Sequence, residues 1–241
     1  MAVAHDTHTR FPTPDPATNL SNASTTTGDV SFTHTPIGTP AGVVVVVLNG
    51  DTAGAPCTGV TYAGMAMTSL GTFVDTSEAG SVSIWYLTGA IDIPTGPQTV
   101  VLQGCTADGK FATCSTVTSS TNRTALAGSA GRNHIIGAHT ISIVTTADAM
   151  LYGGIHSGQA AISGVSPASG FTNQNINDWG VKVALTSRSS AIMAAGTITY
   201  GSTAGSDDNC LAVVALGEGS AGGVVRVPRH AVASASDYGV L

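Results

Sequence analysis

The stretch "AGVVVVVLNG", residues 41–50, carries five consecutive valines and decides the fold class of this chain. β-Branched side chains lose rotamer freedom in a helix and pack well on a pleated strand, so the run predicts a β-strand. It is too short to cross a bilayer as a helix, which needs roughly 20 apolar residues. Because successive strand residues face opposite sides, a strand without polar residues is buried on both faces. Either it is a central strand with loops over its outer face, or that face contacts another subunit or a covering arm.

Short segments rich in β-branched and aromatic residues recur along the rest of the chain, separated by Gly, Asn, Asp and Ser turns. Examples are "SVSIWYL" (81–87), "HTISIVTT" (139–146) and "CLAVVALG" (210–217). "NRTALAGSAGRN" (122–133) is the best candidate for a short helix or a long loop. Strands at this spacing are typical of a β-sandwich or a barrel, and we predict an all-β fold, an antiparallel β-sandwich.

The two ends of the chain differ in composition from the middle. Residues 1–27 are rich in Pro, Thr and Asn, and their closely spaced prolines predict an extended arm, either a loose leader or one ordered on a neighbour. Residues 219–241 form a tail whose "VVRV" (224–227) could add a strand to a neighbouring sheet edge; a disordered end is the alternative. We therefore predict an arm (1–27), a sandwich domain (28–218) and a tail (219–241). No secretory leader is visible in "MAVAHDTHTRF".

The chain carries very little charge. Of its 241 residues 9% are charged and 42% are hydrophobic, and 8 basic against 14 acidic side chains give a formal net charge of −6. Soluble domains average about 25% charged residues, so the deficit suits a homo-oligomer whose surface is buried in an assembly. It also argues against nucleic acid as a partner, since no basic cluster could neutralise phosphates. No segment has the length and apolar character of a membrane-spanning helix, so we expect no membrane as a partner.

The cysteines are expected to be free and buried. Cys57, Cys105, Cys114 and Cys210 form no CxxC pair, and without a secretory signal we expect synthesis in a reducing cytosol. The alternative is a bridge between Cys105 and Cys114, which flank "TADGKFAT", a predicted hairpin.

No catalytic constellation is visible in the sequence. His5, Asp6 and His8 form "HDTH", but in an arm without a scaffold to hold their geometry. His134 and His139 are five residues apart, which places them on opposite faces of a strand. The pair Asp207–Asp208 and the segment "DTSEAG" (75–80) are interpreted as solvated turns. We therefore expect no enzymatic activity, no cofactor and no metal site.

The strand pattern resembles a β-sandwich module of tailed-bacteriophage virion proteins and related bacterial and prophage genes, over roughly residues 26–218. The segments that carry the resemblance, in order, are "VSFTHTPIGTPAGVVVVVLNG" (30–50), "GVTYAGMAMTSLG" (59–71), "GSVSIWYLTG" (80–89), "PTGPQTVVL" (94–102) and "CLAVVALGEGS" (210–220). The likeness lies in pattern and order rather than in a catalytic signature.

The resemblance implies a jelly-roll-like sandwich with a structural role on the virion, as a capsid decoration (cement) protein, a head fibre or a tail adhesin. As a decoration protein, assembled in the host cytoplasm, it would sit on the capsid surface and contact the major capsid protein and neighbouring copies of itself. The predicted partner-binding residues lie in the arm and the tail: Phe11, Pro12, Pro14, Leu20, Val224, Val225, Arg226, Val227 and Tyr238. The alternative function is a receptor-binding module of a tail or head fibre that holds a glycan on Trp85 and Trp179. Trp85 faces outward if Val82, Ile84 and Tyr86 face the core; the opposite assignment buries it.

Overall fold

The computed structural model describes residues 3–13, 23–50, 54–77, 79–89, 92–158, 162–167, 183–189 and 191–219. Within these ranges the chain forms β-strands and no helix. The strands are β1 (Ala4–Phe11), β2 (Gly28–His34), β3 (Gly42–Asn49), β4 (Gly59–Tyr62), β5 (Met65–Ala66), β6 (Thr68–Asp75), β7 (Gly80–Thr88), β8 (Gln98–Cys105), β9 (Lys110–Thr118), β10 (Thr124–Thr145), β11 (Ala149–Ser157), β12 (Ser163–Ser166), β13 (Val183–Arg188) and β14 (Gly196–Glu218).

The strands form three antiparallel sheets. The central sheet has the order β1-β9-β3-β7-β6, and the small sheet has the order β2-β8-β4-β5. The third, here called the ribbon sheet, has the order β10-β14-β11-β13, with β12 also paired to β14. The sheets pack against one another, which confirms the predicted antiparallel β-sandwich.

The valine strand β3 lies in the middle of the stack and is covered by the chain itself. Val43, Val45 and Val47 point toward the small sheet, where they pack with Val60, Tyr62, Val100 and Leu102. Their neighbours Val44, Val46 and Leu48 point toward the ribbon sheet and pack with Tyr152, Ala212, Val214 and Leu216. Two further sheets therefore cover both faces of β3, and neither another subunit nor a covering arm is needed there.

The two longest strands, β10 and β14, form a ribbon that folds back on itself. The carbonyl of Ala127, near the start of β10, accepts a hydrogen bond at 2.8 Å from the amide of Thr146, just beyond its end. A straight strand of that length would hold these residues about 60 Å apart. The fold-back lays Ile143 and Tyr200 over the outer face of the ribbon sheet, in a third core cluster with Leu211. The ribbon sheet, like β3, is thus apolar on both faces.

The N-terminal segment belongs in part to the sandwich, which corrects the predicted boundary at residue 28. Ala4–Phe11 pairs with β9 as an edge strand of the central sheet, and Val3 before it is fully buried. The strand ends where the prolines begin, because proline cannot donate a hydrogen bond to the ladder. Residues 4–11 are extended, as predicted, and they are ordered on β9 of their own chain rather than forming a loose leader.

The segment 122–133, expected to be a helix or a long loop, contributes the first half of β10. Its small residues are explained by close packing between layers. The ring of Phe73 occupies the place where a Cβ on Gly131 would lie, and the carbonyl of Val144 does the same at Gly128. Here packing between layers, which composition does not reveal, overrides weak strand propensity.

Candidate functional site

The predicted partner-binding residues fall into two groups. Phe11 ends β1, and its ring stacks on Phe32 with centroids 5.3 Å apart and an interplanar angle of 16°. It packs against the core between the central and small sheets, and Pro12 follows it directly. The remaining seven lie outside the described residues: Pro14, Leu20, Val224, Val225, Arg226, Val227 and Tyr238.

Trp85, one of the two predicted glycan-binding residues, does not face outward. This side chain is half-buried on β7 and packs against the core beneath the small sheet, and its indole nitrogen is buried. Tyr86, the next residue, packs on the opposite side against the ribbon sheet. The outward assignment of Trp85 is therefore wrong, because both faces of the central sheet are covered. Trp179 lies outside the described residues.

Several of the few charged side chains are turned inward and used as internal hydrogen-bonding groups. Lys110 is fully buried, and its Nζ donates to the carbonyls of Ser24, Thr106 and Asp108 at 2.8–3.0 Å. Arg132 donates to the carbonyls of Thr140 and Ala138. Each such residue satisfies backbone acceptors in a loop or bulge. Among the described residues, Lys110 therefore contributes no charge to the exterior, and Arg132 is held against the backbone of its own strand.

Large apolar side chains remain exposed on this exterior. Ile37 is 82% exposed, Ile136 77% and Val144 63%. Ile37 lies in the loop between β2 and β3, and Ile136 lies where the ribbon bends. Single exposed apolar residues are ordinary, and two of these have a carboxylate nearby: Asp6 accepts a hydrogen bond from the amide of Ile37, and Asp208 lies opposite Ile136 in the ribbon.

A cluster of histidines surrounds β1. Asp6 accepts hydrogen bonds from the amides of Ile37 and Gly38 at 3.1 and 2.8 Å, and from the hydroxyl of Thr116 at 2.9 Å. His34 lies within 3.2 Å of the Thr116 hydroxyl, and burial lowers its pKa to about 4. His5 lies 3.2 Å from the Tyr152 hydroxyl, and burial, with Arg188 and His8 nearby, lowers its pKa to about 3. "HDTH" therefore has a scaffold after all: the edge of the central sheet holds it.

Beside this cluster lies a cavity of about 460 Å³. Its walls come from the start of β1, from β11 and from the segment after β13. The lining residues are Val3, Ala4, His5, Met150, Arg188, Ala191 and Ile192. The lining combines apolar side chains with His5 and Arg188. Sequence reasoning missed this cavity because its lining residues are far apart in the chain.

A second polar cluster, the Asp75 cluster, forms where β6, β10, β11 and β14 converge. Asp75 is fully buried; its Oδ1 lies 3.0 Å from His134 Nδ1, and its Oδ2 lies 3.6 Å from Nδ1 of the buried His156. His134 Nε2 lies 3.5 Å from Ser77 Oγ and 3.8 Å from Asp208 Oδ1. The prediction of a solvated turn is wrong for Asp207–Asp208, which lie within β14, and for Asp75, which is buried at the end of β6; Thr76 and Ser77 do form an exposed turn.

The connectivity of the Asp75 cluster matches a nucleophile, a base and an orienting carboxylate in the order Ser77, His134 and Asp75. The second carboxylate, Asp208, lies near the same ring nitrogen that faces Ser77, so the histidine is held between two anions. In the part of the chain that the structure describes, no group of three or more His, Cys, Asp or Glu side chains could hold a metal ion.

Over the described ranges, the structure contains no helix long and apolar enough to cross a membrane. In comparisons with protein-family models, curated proteins and solved structures, no match to this chain was found. The likeness to phage virion modules therefore stays a prediction made from the sequence pattern.

Proposed function

We propose that this protein is a non-enzymatic virion structural protein, a capsid decoration (cement) protein that binds and stabilises the outer shell of a tailed phage. Two things support the proposal: the strand pattern over residues 26–218 and the charge-poor exterior. The exterior is the stronger support, because few residues of the chain are charged and one of the few cations, Lys110, is fully buried and bonded to backbone carbonyls.

An exterior of this kind suits close contact with other proteins. Taking a charge out of water costs several kcal/mol unless it is paired, whereas hydroxyl and apolar groups cost far less. Interface cores are accordingly depleted in charged residues. A surface of Ser, Thr and exposed Ile37 and Ile136 can therefore meet the major capsid protein, or neighbouring copies in a homo-oligomer, at low desolvation cost. Repetition over a shell multiplies a small contact.

Binding to bare shells tests this proposal. The full chain is mixed with undecorated capsids, and bound protein is separated by sedimentation and counted. We expect saturable binding that changes less than about threefold between 0.05 and 0.5 M salt, because few ion pairs are available to screen. An Ile37→Asp, Ile136→Asp double variant should bind at least about tenfold more weakly, since it places charges on the exposed apolar sites. A chain that binds no shell, or only at low salt, contradicts the proposal.

A deletion separates the tail from the sandwich as the binding element. Removing residues 220–241 takes away no described strand and retains the whole sandwich. If the predicted tail residues Val224–Val227 bind the shell, the truncated chain loses binding and its thermal midpoint is unchanged. If binding survives, the sandwich surface is the contact and the partner-binding role of the tail is wrong.

One observation favours a second candidate, a hydrolytic activity. The hydroxyl of Ser77, the ring of His134 and the carboxylate of Asp75 follow one another in the order that activates a nucleophilic serine. The test is turnover of an activated ester such as p-nitrophenyl acetate by the full chain, with Ser77→Ala as the matched variant. Turnover lost in that variant supports a hydrolase; identical rates for both proteins refute it. The glycan-binding alternative now depends on Trp179 alone, and unchanged Trp fluorescence with soluble glycans would refute it.

A further inference from the structure

Two of the four buried cysteines lie opposite each other on neighbouring strands. Gly59 of β4 pairs with Gln103 of β8, and beyond this pair residues 56–58 continue beside residues 103–106. Two hydrogen bonds flank the pair: the amide of Thr106 donates to the carbonyl of Pro56 at 3.1 Å, and the amide of Thr58 donates to that of Gln103 at 2.8 Å.

Between these bonds one strand contributes one residue, Cys57, and the other contributes two, Gly104 and Cys105, so Cys57 lies opposite a β-bulge that contains Cys105. Neighbouring strands of a sheet lie about 4.7–4.9 Å apart. A disulfide needs Cα atoms about 4.4–6.8 Å apart. Gly104, with a φ of +55°, supplies the bulge that lets β8 continue beside residue 57. Both side chains enter the same core cluster, so they point to the same side of the sheet.

The other two cysteines are placed differently. Cys114 lies on β9 opposite Val45 and Thr9, in the facing central sheet. Facing sheets are about 10 Å apart, which is beyond the reach of a disulfide from Cys105 without movement of the backbone. The alternative of a Cys105–Cys114 bridge therefore does not fit the fold, because the strands that flank "TADGKFAT" belong to different sheets. Cys210 lies in the core on the other side of the central sheet.

We propose that Cys57 and Cys105 are a latent cross-link site, which a low-molecular-weight disulfide oxidises to a bond between β8 and the segment before β4. One thiolate attacks the reagent and releases one thiol, and the second cysteine displaces the other thiol from the mixed disulfide. Two protein thiols are oxidised, and the reagent is reduced to two thiols. The resulting bond closes the chain from residue 57 to residue 105.

The reaction is slow in the reduced, folded protein, because burial raises the pKa of Cys57 to about 12 and the thiolate is the reactive form. Cys57 is 2% exposed and Cys105 5%, so exchange requires a local opening of the edge beside β4. Once formed, the buried bond is protected from reduction in the same way. The cross-link would therefore respond to sustained oxidising conditions, as outside a cell, and would not follow brief fluctuations.

The experiment compares native and unfolded protein. The reduced full chain is incubated with glutathione disulfide at pH 8, with and without urea, and analysed by intact mass and peptide mapping. In the native sample we expect a loss of about 2 Da and one linked peptide pair, Cys57 with Cys105. The thermal midpoint should rise by about 8 °C, from the loop closed and the size of the chain. A Cys114→Ala, Cys210→Ala double variant should give the same link.

Each other outcome overturns the inference. If urea-treated chains form disulfides but native chains never do, the pair is not positioned for bonding. If native chains link Cys57 or Cys105 to Cys114, or carry only glutathione adducts, the register argument is wrong. If Cys57→Ser still loses about 2 Da in the native state, the bond lies elsewhere.

Discussion

The two faces of the valine strand give the sharpest prediction about the fold. Val45 packs under the small sheet and Val46 packs under the ribbon sheet, and both are at most 3% exposed. Truncation to Ala removes apolar carbon worth about 1.6 kcal/mol at about 0.8 kcal/mol per methylene. A residual cavity of roughly 50 Å³ adds about 1.2 kcal/mol if the walls do not relax. We therefore expect Val45→Ala and Val46→Ala each to cost about 2–3 kcal/mol of unfolding free energy.

The assay is equilibrium denaturation in urea at two protein concentrations. Val144→Ala is the matched control, since Val144 is 63% exposed and lies on a strand, so its truncation should cost less than about 0.5 kcal/mol. The midpoints should not depend on protein concentration, because one chain supplies both covers of β3. The reasoning is refuted if one of the two core variants costs no more than the control, or if its cost appears only at high concentration.

Three other perturbations follow from the same structure. Lys110→Met should cost about 3 kcal/mol in urea denaturation, because three carbonyls lose a charged donor; a loss below about 1 kcal/mol would mean that water replaces the ammonium group. The free energy of unfolding should fall as pH drops from 7 to 5. The pKa values of His5 and His34 are about 3 and about 4 in the folded chain and near 6.5 in the unfolded chain. The unfolded chain therefore binds more protons over this range. The slope is at most about 1.4 kcal/mol per pH unit for each histidine and smaller for half-buried His5; His34→Gln should reduce it, and an unchanged slope would exclude His34 as its source. Gly80→Ala should cost about 2–4 kcal/mol, because the ring of His156 occupies the space of the new methyl group, and adding His156→Ala should recover part of that loss; strictly additive losses would contradict the contact.

The sequence was sufficient to predict the fold class, because strand signals such as the valine run depend on local chemistry. The sequence could not decide what covers Val43–Val47, since that depends on sheets whose residues lie as far away in the chain as Leu216. The β10–β14 ribbon was hidden for a related reason. Ala and Gly in "NRTALAGSAGRN" have low strand propensity, and only the approach of Phe73 explains why Gly131 is small.

The polar clusters show the same limit. Asp75, His134 and Asp208 are widely separated in sequence, and no local spacing predicts that they meet. "HDTH" was visible as a motif, but its scaffold was not, because β1 acquires order only by pairing with β9, more than 100 residues away. A pairing signal between "AHDTHTRF" and "KFATCSTVT" would have revealed it. Cys57 and Cys105 likewise become neighbours only through the pairing of β4 and β8.

The most direct test of the central claim, that a charge-poor exterior is matched by the shell of a virion, is the copy number of this chain in purified particles. Quantitative mass spectrometry against the major capsid protein gives the ratio. A decoration protein should be present at on the order of hundreds of copies per particle, in a fixed ratio to the shell subunit. A chain found at three to a few dozen copies, or found only outside the particles, would contradict the claim.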